Sequence, residues 1–83
     1  MEVIFSNYSK KQLNKLNPRI QLKIITTLEK FKNNQQVDMI KLKNKEDEFR
    51  IRTGNYRIQL KKIDPGFLIK NIGKRENFYG IFF

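Results

Sequence analysis

Cysteine, histidine and tryptophan are all absent from this chain. Without cysteine, neither a disulfide nor a thiolate metal site can form. Without histidine, the commonest general base and the commonest metal ligand are missing, and every Ser-His-Asp or Cys-His arrangement is excluded. No metal or other cofactor is expected. No apolar run approaches the roughly 20 residues of a membrane span. The opening MEVIFSNYSKK has no cationic leader and only a short apolar run, so it does not read as a secretory signal. A soluble cytoplasmic protein without membrane attachment is expected. Negative charge is scarce: 8 Asp and Glu stand against 18 Lys and Arg, a net charge of +10. Such an excess points to a polyanionic partner, whether nucleic acid, anionic surface or acidic protein.

What is present fits one α+β domain over residues 1–83. A chain this short buries a modest share of its surface, so a stabilising partner is reasonable. Glu2 to Ser6 reads as a short strand. Ser9 to Leu16 reads as one or two helical turns, with Tyr8, Leu13 and Leu16 as core contacts. Asn17-Pro18 is a sharper signal, because Asn suits the N-cap and Pro the first helical position. A helix is expected from Pro18 to Lys32, with Ile20, Ile24, Ile25, Leu28 and Phe31 as its buried stripe. Met39 to Lys43 is open between a short strand and an ordered loop, and Lys43 to Glu48 reads as solvated. The rest reads as an antiparallel three-stranded meander: Phe49 to Thr53, Tyr56 to Ile63 and Phe67 to Gly73. Gly54-Asn55 and Asp64-Pro65-Gly66 form its turns. The helices are expected on one face of this sheet.

A two-residue turn at Gly54-Asn55 sets Arg52 opposite Arg57, Ile51 opposite Ile58 and Phe49 opposite Leu60. Alternation then gives Phe49, Ile51, Ile58 and Leu60 to one face and Arg50, Arg52, Arg57, Gln59 and Lys61 to the other. Like charges facing each other across strands are destabilising. A solvated outer face is the ordinary meaning of such alternation. Against it, no acidic residue is expected among these cations, and they are mostly arginine in a chain with 13 Lys and 5 Arg. Arginine presents a planar fork suited to phosphate and stacks on bases. The repulsion makes sense if a phosphate sits between the arginines. Lys74 and Arg75 add cations beyond the third strand. Tyr79 is an aromatic with a polar handle beside them, which suits a nucleotide base. Phe78, Ile81, Phe82 and Phe83 read as core.

These pieces resemble the RelE/ParE superfamily of toxins from type II toxin–antitoxin modules. The resemblance rests on Gly54-Asn55-Tyr56-Arg57, Gly73-Lys74-Arg75 and Tyr79, in that order, and extends over nearly the whole chain. The basic and tyrosine set favours the RelE-like, mRNA-cleaving branch over ParE-like gyrase inhibitors. It implies a RelE-like fold and an endoribonuclease acting on mRNA in the ribosomal A site. The catalytic set would be Arg57, Arg75, Tyr79 and Arg52, and Arg50, Lys74 and Lys61 would bind substrate. Arg50 and Arg52 stand where lysine is common in relatives. Arginine stays protonated, which argues against general-base work by either. Lys41 and Lys43 read as solvated. The implied partners are ribosome-bound mRNA and an acidic antitoxin. A gyrase inhibitor and a non-catalytic RNA-binding module are the alternatives.

Overall fold

A computed structural model describes residues 1–43 and 45–74. The chain order is β1 (Glu2–Phe5), α1 (Asn7–Asn14), α2 (Pro18–Lys32), β2 (Asp38–Lys41), β3 (Glu48–Thr53), β4 (Tyr56–Lys62) and β5 (Gly66–Lys74). α2 begins as its capping chemistry requires. Asn17 Oδ1 accepts the Ile20 N–H at 3.0 Å, and Pro18 opens the helix. α1 starts earlier than expected because Ser6, not a later residue, is its N-cap; the Ser6 hydroxyl accepts the Ser9 N–H at 3.0 Å. That phase turns Tyr8 outward. It is 62% exposed and is not a core contact.

Among the described residues the sheet has five strands in the order β1-β5-β4-β3-β2. The expected meander is its centre, β3-β4-β5. Two strands extend it. Asp38–Lys41 is a strand, paired antiparallel with β3. β1 lies parallel to β5, with Glu2 opposite Gly66 and Phe5 opposite Ile69. A parallel partner needs a long crossover, here supplied by the helices and the strands that follow. Gly66 permits the close approach: a Cβ there would fall on the Glu2 backbone. Beyond β1, the open edge of β5 is met by α1. Ser9 Oγ donates to the Ile69 carbonyl at 2.9 Å, and Gln12 accepts the Ile72 N–H at 2.6 Å while donating to Asn71 Oδ1 at 2.7 Å. Backbone groups that would lack a ladder are thus satisfied by side chains.

Ile24, Leu28 and Phe31 of α2 pack on Ile51, Ile58, Leu60, Ile69 and Ile72. Each such side chain contributes about 1.5–3 kcal/mol when fully buried. Leu13, Leu16 and Ile20 flank the cluster, whereas Ile25 is half-buried outside it. Phe67 joins the two layers, with its ring centroid 4.9 Å from Phe31 and 5.8 Å from Phe49. One sheet face is therefore largely apolar and covered by helix, and most charged side chains of β3 and β4 go to the other.

Candidate nucleic-acid interface

The β3–β4 hairpin has the expected register: Arg52 opposes Arg57, Ile51 opposes Ile58 and Phe49 opposes Leu60. Gly54 adopts φ +59° at the first turn position, where a type II′ hairpin requires glycine. Its backbone therefore sets the facing of the two arginines.

The face is less uniformly cationic than expected. Among the described residues, the carboxylates of Asp38 and Glu48 lie on it. β2 brings Asp38 opposite Arg52, and Asp38 Oδ2 accepts from Arg52 Nε at 2.6 Å. β3 begins one residue before the expected start, which adds Glu48 to the same side as Arg50 and Arg52. Glu48 is 8% exposed rather than solvated. Its carboxylate accepts from Gln59 Nε2 at 2.7 Å and from Lys70 Nζ at 3.4 Å, with Lys45 Nζ 3.7 Å away. A buried carboxylate is tolerable only when it is paired and hydrogen-bonded in this way.

Lys70 reaches Glu48 because of a β-bulge. Opposite β4 the register runs Arg57–Gly73 and Gln59–Asn71, then shifts so that Leu60 meets Ile69. Lys70 is the extra residue, re-aimed by the irregularity. The β4–β5 loop is three residues, 63–65, closed by the Ile63 N–H donating to the Gly66 carbonyl at 2.8 Å. This resolves the third strand: Leu68 and Lys70 share the charged face, while Ile72 opposes Ile58 in the core.

The candidate residues occupy distinct environments. Arg52 is accessible, its side chain half exposed and held by Asp38. Arg50 is half-buried beside it, across from Gln59. Arg57 is 2% exposed, and its Nη1 donates to the Tyr56 carbonyl at 3.4 Å. Lys61 lies farther along the face, 3.8 Å from Asp47. Lys74 is exposed but opposes Tyr56, on the helix side of the sheet, so it does not share the arginine face. Arg75, Tyr79, Phe78, Ile81, Phe82 and Phe83 lie outside the described residues. Sequence reasoning missed Asp38, Glu48 and Lys70. Strand alternation carried back by one residue finds Glu48; Asp38 and Lys70 depend on a pairing and a bulge.

No protein-family model matches the chain, and no curated protein matches it by sequence. Solved structures do. A chain of the RelB–RelE antitoxin–toxin complex from Methanococcus jannaschii superposes with a TM-score of 0.81 at 25% identity, covering 95% of this chain and 98% of that one. A chain of the archaeal RelE–RelB complex from Pyrococcus horikoshii OT3 gives 0.71 at 20%, covering 89% and 93%. The isolated E. coli RelE toxin gives 0.71 at 21%, covering 95% and 90%. The fold is RelE-like along nearly its whole length.

Proposed function

From a chain with the RelE fold, we propose the toxin of a type II toxin–antitoxin pair, acting as an endoribonuclease on mRNA in the ribosomal A site. The observation that carries this reading is the pair of facing arginines, Arg52 and Arg57, set on the non-helical face of that fold. In the proposed reaction the 2′-oxygen attacks the adjacent phosphorus and loses its proton. The bond from phosphorus to the 5′-oxygen breaks, and that oxygen takes up a proton. The products are a 2′,3′-cyclic phosphate and a 5′-hydroxyl. Arg57, with Arg75, supplies positive charge to the phosphoryl oxygens as charge grows on them, Arg57 from beneath the face because its side chain is only 2% exposed. Preorganised charge of this kind is often the largest effect in such sites. Arg52 and Arg50 hold the flanking phosphate, with Lys61 farther along the strand. Tyr79 orients a base or exchanges a proton. Substrate held in shape by the ribosome supplies orientation that the residue set alone does not.

The face suits a step in which phosphate replaces carboxylate. An exposed arginine–carboxylate pair such as Arg52–Asp38 contributes only about 0–1 kcal/mol, so a phosphodiester can displace Asp38 at little cost. The same charge supports an acidic antitoxin as the partner that silences the toxin, covering the cations.

The test is cleavage of a defined mRNA on ribosomes stalled at a known codon, read by primer extension. The wild-type chain is expected to cut within the A-site codon. A folded Arg52→Ala/Arg57→Gln variant is expected to cut at least about 100-fold more slowly, the usual cost of losing a charge-stabilising donor. Intact mRNA alongside inhibited DNA supercoiling by gyrase would replace this reading with the gyrase one.

A further inference from the structure

The arginine face holds only part of the positive charge. Residues 7–32 carry seven cations, Lys10, Lys11, Lys15, Arg19, Lys23, Lys30 and Lys32, against Glu29 alone, a net +6. Arg19, Lys23 and Lys30 are exposed on α2, at positions i, i+4 and i+11. At 3.6 residues per turn these three fall in one line, about 16 Å long at 1.5 Å per residue. The line lies away from the stripe of Ile24, Leu28 and Phe31 that faces the sheet.

The line joins the arginine face at the hairpin tip. Lys23 Nζ reaches the turn, 3.8 Å from where a Cβ on Gly54 would sit. Thr27 Oγ1 donates to Thr53 Oγ1 at 3.1 Å, which fixes α2 against this end of β3. Lys74, opposite Tyr56 on the helix side, adds a cation at the same end. Arg52 and Arg57 are the next residues in from the turn on the other face. Positive charge thus continues from one side of the sheet to the other over a turn that has no side chain at Gly54.

We propose that α2 is a second phosphate track. An RNA strand whose backbone enters at the exposed Arg52 passes over the Gly54–Asn55 tip and continues along Arg19, Lys23 and Lys30 in that order, because α2 runs from the tip, where Thr27 meets Thr53, toward the other end of β3, where Phe31 and Phe49 both meet Phe67. This inference rests on the reading of the chain as an RNA-acting toxin, and it assigns the helix layer to grip RNA flanking the reacting phosphate. RNA is favoured over an anionic membrane because the line reaches the hairpin turn at Lys23, and Arg52 lies one residue in from that turn on the other face. A linear backbone follows such a path, whereas a flat surface does not reach both sides of the sheet.

The test is binding of the full chain to a labelled single-stranded RNA across a salt series. Removing one phosphate-neutralising cation should lower the slope of log K against log salt by about 0.7. The Arg19→Gln/Lys23→Gln/Lys30→Gln variant is expected to bind at least about 10-fold more weakly at low salt, with a slope reduced by about 2. Arg19→Lys/Lys23→Arg/Lys30→Arg, which keeps the charges, is expected to retain the wild-type slope. Helicity and unfolding midpoint should match wild type, since all three positions are solvent-exposed. Wild-type binding with an unchanged slope in the Gln variant would overturn the α2 track and leave the proposed activity standing. No RNA binding by the wild-type chain would overturn both. Loss of binding to anionic vesicles in the Gln variant, with RNA binding unchanged, would assign the line to a membrane instead.

Discussion

At the scale of single residues, two carboxylates set how the cations are held. Asp38 pairs with Arg52 at the surface, so removing its charge should cost little stability and favour an incoming phosphate. Asp38→Asn is expected to bind RNA about 2–5-fold more tightly at low salt, the equivalent of about 0.5–1 kcal/mol, as read by fluorescence anisotropy. Weaker binding would mean that Asp38 orients Arg52 rather than competing for it. Glu48 is a different case. It is buried, and Gln59 and Lys70 both donate to it. Glu48→Ala leaves those donors without their acceptor and is expected to cost about 1–3 kcal/mol in urea unfolding. Glu48→Gln, which keeps an oxygen for Gln59, should cost less. Arg57 shows where residue-level reading stops. Alternation assigned it a face and an opposite number correctly, but alternation says nothing about cover, and the side chain is 2% exposed.

At the scale of elements, what was legible was what adjacent residues settle among themselves. α2 follows from Asn17-Pro18 and an apolar stripe; the β3–β4 hairpin follows from Gly54-Asn55 between alternating runs. Replacing the Asn17 cap with alanine is expected to cost about 1 kcal/mol, seen as a lowered urea midpoint. What was not legible depends on partners distant in the chain. Asp38–Lys41 is too short and too polar to declare itself and becomes a strand by pairing with β3. β1 looks the same whether it pairs parallel, antiparallel or not at all; Gly66, far along the chain, admits it. Gly66→Ala should therefore loosen β1 specifically. Hydrogen exchange is expected to show reduced protection at Val3 to Phe5 while the Ile58 and Leu60 amides stay protected. Equal loosening throughout would mean that β1 and the central strands open as one unit. The bulge at Lys70 left no mark in the sequence, since an unpaired residue inside an apolar-polar run looks like any other.

At the scale of the whole molecule, the division of labour is between two sides of one sheet. The apolar side accepts the helices and supplies stability. The other side displays arginines beside a buried carboxylate held by Gln59 and Lys70, an arrangement that spends stability on display of charge. A net charge of +10 on 83 residues makes association with a polyanion fast and strongly salt-dependent. It gives no cleavage by itself, which has to come from geometry at one phosphate. The most direct measurement is therefore made in cells: tightly controlled expression, followed by mapping of mRNA 5′ ends, with an Arg57→Ala/Arg75→Ala variant alongside. New 5′-hydroxyl ends are expected at fixed positions within translated codons, absent with the variant. Growth arrest by the wild-type chain with no new mRNA ends would contradict the proposed cleavage.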